Sequence, residues 1–170
     1  RTIFNMLGPL TNPAGAQGQV LGVFAPELTE PFALVLRLLG SRCAFVVHGH
    51  DGLDEITTTT TSRISELRDG KVQTYEFDPL RYIEHHADLR ALQGGDPALN
   101  AAITRRVLAG TKNECRDIVC LNAAAGIVAG GKAADLAAGL AMAYAAIDNG
   151  KAQRALEGLL SSSPCPARSG

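Results

Sequence analysis

At 170 residues the chain has the length of one domain, enough to bury roughly 68–70% of its unfolded surface without disulfide or metal staples. A hydrophobic share of 46% against 19% charged excludes general disorder. Sixteen Lys and Arg against seventeen Asp and Glu leave a net charge of -1, which argues against a surface that coats nucleic acid or an anionic membrane. No apolar run approaches the ~18 residues of a membrane span; Asp135, Tyr144 and Asp148 break the longest Ala-rich stretch. The cysteines Cys43, Cys115, Cys120 and Cys165 are scattered with no CxxC pair, the usage of reduced thiols in a cytoplasmic protein.

In chain order, Arg1 to Leu7 suits a short helix ended by Gly8-Pro9, and the Pro-, Gly- and Asn-rich stretch to Gly18 suits a loop. Gln19 to Phe24 alternates like a strand. Thr29 is placed to cap a helix that has Pro31 in its first turn, covers Phe32 to Leu39 and stops at Gly40. Arg42 to Val47 is a nearly continuous apolar run, the mark of a strand buried on both faces. Ile56 to Thr61 is β-branched and predicts extended chain. Ile64 to Leu67 and Val72 to Phe77, joined through Asp69-Gly70, predict a hairpin. Helices follow at Ala98 to Ala109, Asp117 to Ala129, Leu136 to Asp148 and Ala152 to Leu160, separated by Gly110, Gly130-Gly131 and Gly150 at C-cap positions. His85-His86 reads as an exposed helix start. The expected class is α/β: a mixed sheet flanked by helices, with a β-hairpin and a helical C-terminal half.

The densest chemistry is His48-Gly49-His50-Asp51-Gly52-Leu53-Asp54-Glu55, which follows the buried strand and so sits at its carboxyl end, where open α/β sheets bind ligands. Three carboxylates within five residues repel one another unless a cation offsets them. Oxygen donors of this kind suit Mg²⁺, which takes one or two carboxylates, waters and substrate phosphates. On composition alone the same residues also suit a solvated acidic turn. His48 and His50 have the HxH spacing of a zinc pair but lack a third nitrogen or sulfur ligand at convincing spacing. Cys115 and Cys120 have no activating neighbour and read as core thiols. Gly126-Ile127-Val128-Ala129-Gly130-Gly131-Lys132 approaches a phosphate-binding P-loop, yet Ala133 stands where the metal-binding hydroxyl belongs, and helical periodicity precedes it instead of a strand. It reads as a helix C-cap. Three carboxylates in one turn cannot flank a sugar as a glycosidase requires, and no Gly-x-Ser-x-Gly elbow is present.

The opening Arg1-Thr2-Ile3-Phe4-Asn5-Met6-Leu7-Gly8-Pro9-Leu10-Thr11-Asn12-Pro13-Ala14 resembles the signature stretch of the anthranilate phosphoribosyltransferase family. The resemblance continues through Val47-His48-Gly49 to Asp54-Glu55-Ile56, Gly94-Gly95-Asp96 with Asn100-Ala101, Leu121-Asn122-Ala123-Ala124, and Asp148-Asn149-Gly150-Lys151-Ala152. It implies a nucleoside phosphorylase/phosphoribosyltransferase-type α/β domain beside a small helical domain, in a cytoplasmic homodimer of the tryptophan pathway. The implied reaction joins anthranilate to phosphoribosyl pyrophosphate and releases pyrophosphate. The resemblance assigns the Mg²⁺ ligands to Asp54 and Glu55, with Asp51 and His48 as supporting candidates.

The family's Gly-rich phosphate loop, its Lys-His-Gly-Asn stretch and its anthranilate-contacting Arg lie upstream of Arg1, so the substrate contacts fall outside this sequence. The family's Gly after the Asp-Pro segment is replaced by Leu80-Arg81-Tyr82. With an opening inside an apolar pattern and a Ser/Pro-rich close, the expectation is the C-terminal part of a longer protein. Residues 1–8 would be a remnant of the helical domain, 9–163 a partial α/β domain and 164–170 a disordered tail. A pyrimidine nucleoside phosphorylase shares the architecture, but the opening signature argues against it. A non-catalytic nucleic-acid-binding relative would need clustered basic residues, and Arg105-Arg106 is the only adjacent basic pair.

Overall fold

The computed structural model describes residues 7–11 and 15–162. Most of the expected first helix and the expected C-terminal tail lie outside the described residues. Four strands form one mixed sheet: β1 (Gly18–Gly22), β2 (Cys43–Gly49), β3 (Ser62–Arg68) and β4 (Lys71–Phe77), in the order β1-β2-β3-β4. β1 runs parallel to β2, while β2–β3 and β3–β4 are antiparallel. The α-helices are α1 (Thr29–Leu38), α2 (Pro97–Leu108), α3 (Glu114–Ala129), α4 (Leu136–Asp148) and α5 (Lys151–Ser162).

β2 is an interior strand, and its apolar run is buried from Ala44 to Val47 as the sequence predicts; the strand and its burial continue through His48 and Gly49, which were expected to open the loop. Successive strand side chains point to opposite faces. Ala44 and Val46 accordingly join Phe32, Ala33 and Leu36 of α1 in one core. Phe45 and Val47 join Leu121, Ala124 and Val128 of α3 and Leu140 of α4 in the other. The result is three layers, with α1 on one face of the sheet and the α3–α4 pair on the opposite face. The β3–β4 hairpin turns through Asp69 (φ 50°) and Gly70 (φ 74°). Two central residues with positive φ give the two-residue turn whose twist matches the strands.

The parallel step from β1 to β2 is bridged by α1, and here the expected cap fails. Thr29 is the first helical residue and Leu28 holds the cap position without a side-chain bond. The Thr29 hydroxyl instead donates to the Pro26 carbonyl at 3.0 Å and accepts from Ser65 at 2.9 Å, tying α1 to β3. A short 3₁₀ turn over Pro26–Leu28 leads directly into the helix and starts it in place of the cap that Thr29 was expected to provide. Ile56 to Thr61, expected to be extended, joins no strand and bends at 58–60, with the Thr57 and Thr59 hydroxyls bonded to Asp51 of the same loop. His85-His86 likewise lies in a bend and not at a helix start. The loop before β1 contains a 3₁₀ turn at Gly8–Leu10.

The stops at Gly110, Gly131 and Gly150 fall where expected, so the P-loop lookalike is the end of α3. Gly139 in α4 faces the α3 backbone, where an added Cβ would lie 2.8 Å from the Ala124 carbonyl oxygen. Gly126, exposed on α3, has nothing within 4 Å of that position. Ala gains about 1 kcal/mol over Gly in a helix interior, whereas forcing a methyl into a packed contact costs about 1–3 kcal/mol. Gly126→Ala is therefore expected to raise the urea midpoint of this chain and Gly139→Ala to lower it.

Candidate functional site

The loop from His50 to Thr61 leaves the carboxyl end of β2 and returns to β3, closed by main-chain bonds. The His50 amide donates to Thr61 at 3.0 Å, the Gly49 amide to Leu53 at 2.8 Å and the Gly52 amide to Gly49 at 2.8 Å. Gly52 has φ +93°, a backbone state that a side chain would strain. Asp51 ties the turn together. Its carboxylate accepts from the Thr57 and Thr59 hydroxyls, each at 2.5 Å, and from the Leu53 amide at 3.1 Å. Two members of the β-branched run that suggested extended chain, Thr57 and Thr59, thus serve as hydroxyl donors to one carboxylate.

Asp54 is exposed and Glu55 half-buried on the same short segment. Burial pushes the Glu55 carboxyl above its ordinary pKa, and the charges of Asp54 and Asp51 push it further in the same direction. Burial also acts to raise Asp51, but the Thr57, Thr59 and Leu53 hydrogen bonds outweigh it and hold that carboxyl below its ordinary value. Glu55, half-buried beside the charges of Asp54 and Asp51 and bordering open clefts, is a carboxylate whose charge a divalent cation would relieve. Among the described residues no group of three or more His, Cys, Asp or Glu gathers at metal-holding distance. Two adjacent oxygen donors are the set that suits Mg²⁺, which completes its shell with water and phosphate.

His48 is buried, and its Nδ1 donates to the Val23 carbonyl at 2.8 Å, which joins the end of β2 to the segment after β1. His50 turns outward and its Nε2 meets Glu76 Oε2 of β4 at 2.7 Å. The two rings stand edge to face with 6.5 Å between centroids. His48 thus supports the loop from below, as Asp51 does from within. Cys120 lies in the core, where burial pushes its thiol up to about 11. Cys115 is half-exposed and donates to the Ala91 carbonyl at 3.3 Å.

Glu55 borders two clefts. One, of about 250 Å³, is walled by Leu92, Ile103, Val107 and Ile118; the other, of about 530 Å³, by Leu53, Asp88, Arg90 and Gln93. A third cavity, about 540 Å³, lies by the start of α3 between Tyr82, Lys112, Arg116 and Tyr144 and shares no residue with this loop. Two of its polar groups are engaged within the fold, Arg116 with Asp148 at 2.7 Å and Tyr144 with Asp117 at 2.8 Å.

Two further contributors were given no role at the site from sequence, although Asn122 stands in the Leu121-Asn122-Ala123-Ala124 stretch. Gly22 ends β1 directly against Asp54, where an added Cβ would lie 2.6 Å from the Asp54 carbonyl carbon and closer still to its oxygen. Asn122 of α3 reaches across to Ile56 and bonds both its amide and its carbonyl, at 2.9 and 2.8 Å. The available signals were a Gly closing a strand and an Asn, a poor helix former, inside an Ala-rich helix.

The bonds to Asp51 give a pH prediction. A carboxylate whose folded pKa is depressed stabilises the fold above its unfolded value of about 4 and loses that contribution as pH falls through the folded value. Asp51→Asn is expected to cost about 1–2 kcal/mol at pH 7 in urea unfolding, part of it offset because Glu55 loses a repelling neighbour. The gap between the two proteins should close as pH falls from 4 towards 2. A pH-independent gap would show that the Asp51 charge is not what the hydroxyls hold.

Residues 1–153 match the glycosyl transferase family, a/b domain. The chain is 58% identical over 161 residues to an anthranilate phosphoribosyltransferase from Desulfosudis oleivorans, covering 94% of this chain and 48% of that protein. The crystal structure of anthranilate phosphoribosyltransferase from Thermus thermophilus superposes with a TM-score of 0.86 at 44% identity, over 95% of this chain and 47% of that one. The Saccharomyces cerevisiae enzyme in complex with PRPP and Mg superposes at 0.82 with 28% identity, over 95% and 47%. The chain spans about half the length of the curated relatives it matches. Among the described residues no helix is long and apolar enough to cross a membrane.

Proposed function

The chain belongs to the glycosyl transferase family through its α/β domain, and from that membership we propose that it is the C-terminal, magnesium-binding portion of an anthranilate phosphoribosyltransferase. The whole protein transfers phosphoribosyl from phosphoribosyl pyrophosphate to the amine of anthranilate in tryptophan biosynthesis and works as a cytoplasmic homodimer. Residues 9–163 supply its partial α/β domain. The observation that carries this reading is the Asp54–Glu55 pair beyond the carboxyl end of β2, with Asp54 against Gly22, the following Ile56 held by Asn122, and Glu55 bordering two clefts.

In the transfer, the bond from ribose C1 to the pyrophosphate oxygen breaks with its electron pair going to the pyrophosphate. The anthranilate nitrogen forms the new bond to C1 and gives up a proton. Mg²⁺, when bound, acts as a Lewis acid on the negative charge that develops on the leaving group. Asp54 and Glu55 hold that ion, Asp51 with Thr57 and Thr59 keeps the loop in one shape, and His48 fixes its base to β1. Catalysis by this half is positioning and electrostatics. The contacts to the substrates' phosphates and to anthranilate belong to the rest of the protein, so the 170-residue chain by itself is inactive.

The test is pyrophosphate release by the full-length protein. Release that requires anthranilate and phosphoribosyl pyrophosphate together supports the reading. Turnover of a pyrimidine nucleoside with inorganic phosphate, and none with anthranilate, would replace it with a phosphorylase.

A further inference from the structure

Asn122 sits in the middle of α3, half-buried, 66 residues from the segment it holds. Its Oδ1 accepts from the Ile56 amide at 2.9 Å; its Nδ2 donates to the Ile56 carbonyl at 2.8 Å and to the Ile118 carbonyl of its own helix at 3.0 Å. Both Nδ2 hydrogens and one face of Oδ1 are thus in use. The amide group imitates a strand partner for one residue that has no sheet neighbour. Ile56 is fully buried, so its N–H and C=O would otherwise stand unpaired in the core at a substantial cost.

The residue so clamped directly follows Glu55, while the residue before Glu55 is packed by its carbonyl onto Gly22. Glu55 hangs between two fixed points, one on β1 and one on α3. We propose that Asn122 is a positioning residue for the Asp54–Glu55 pair, setting the backbone from which both carboxylates reach a divalent cation; this rests on the magnesium reading of that pair. An Asn at this place serves the loop more than the helix. Ala lacks both bonding groups, Leu has similar bulk without them, and Asp would lose both donors.

The test measures Mn²⁺ binding to the full-length protein with phosphoribosyl pyrophosphate present, from the EPR signal of the free ion against a protein-free control, beside thermal melting and hydrogen exchange at the Ile56 amide. Mn²⁺ favours the same oxygen donors as Mg²⁺. Asn122→Ala is expected to weaken Mn²⁺ binding about tenfold, the lower end for residues that support metal ligands, and to abolish protection of the Ile56 amide. Asn122→Leu, with better helix propensity, carries the same expectation if the Ala variant does not fold. Ser65→Ala breaks the buried hydroxyl chain to Thr29 and Thr74 on the α1 face of the sheet. It should lower the melting temperature and leave Mn²⁺ affinity unchanged. Wild-type affinity in a folded Asn122 variant, or equal weakening in Ser65→Ala, overturns the positioning role while the metal pair stands. If the wild type does not bind Mn²⁺, or Asp54→Ala with Glu55→Ala leaves binding intact, the metal reading itself falls and takes this inference with it.

Discussion

Replacing both Asp54 and Glu55 with Ala in the full-length protein is expected to cut turnover about 10²–10³-fold, the usual loss when a group that stabilises transition-state charge is removed. That corresponds to about 3–4 kcal/mol of barrier. Most of the loss should fall on kcat, because charge on the leaving pyrophosphate is greater in the transition state than in the bound substrate. Each single variant should lose nearly as much as the double, since both carboxylates would serve one cation site and such effects do not add. The concentration of Mg²⁺ giving half-maximal rate should rise at least tenfold or so in the single variants. Glu55 should be the more sensitive position. It is the half-buried member of the pair, and its neighbours Asp54 and Asp51 disfavour its charge until a cation arrives. Steady-state rates across a Mg²⁺ titration check all of this, and a double variant with the wild-type Mg²⁺ profile would remove the carboxylates from the mechanism.

Gly22→Ala carries the second large effect, through the backbone alone. The new methyl would overlap the Asp54 carbonyl, and the nearest atoms are main chain, so no flexible side chain can swing away. Three neighbours limit the loop's retreat. Asp51 is bonded to Thr57 and Thr59, Ile56 is held by Asn122, and His48 is anchored to Val23. Relief must come from separating β1 from the loop or from shifting Asp54 itself. We expect a loss of about 3 kcal/mol in urea unfolding, the upper part of the range for overpacking, together with weakened Mn²⁺ binding in whatever fraction remains folded. Gly158→Ala on α5, with nothing within 4 Å, is the matched control and should leave the midpoint unchanged or higher.

How much of this could be read from the sequence divides by the range of the interaction. β2 and the hairpin were legible because their signals are local: an unbroken apolar run for a doubly buried strand, and Asp69-Gly70 between two alternating segments. The glycine stops of the helices were legible for the same reason. Thr29 failed as a cap because its hydroxyl was claimed by Ser65, 36 residues away, and by Pro26. Thr57 and Thr59 read as strand formers, since β-branching is visible in a sequence and a carboxylate waiting in the preceding turn is not. The acidic pair stood out by composition and motif, but composition alone fitted a solvated turn equally well. What separates the two is the fixed frame around it, and that frame is made of contacts at long separation, Gly22 to Asp54 and Asn122 to Ile56.

The loss of anthranilate fluorescence with phosphoribosyl pyrophosphate, followed as Mg²⁺ is raised from a chelated zero, bears most directly on the claim that the Asp54–Glu55 loop serves phosphoribosyl transfer. The full-length protein should consume anthranilate only once Mg²⁺ is present, and the Asp54→Ala, Glu55→Ala protein should remain near baseline over the same range. Equal consumption by both proteins at every Mg²⁺ concentration would contradict the claim.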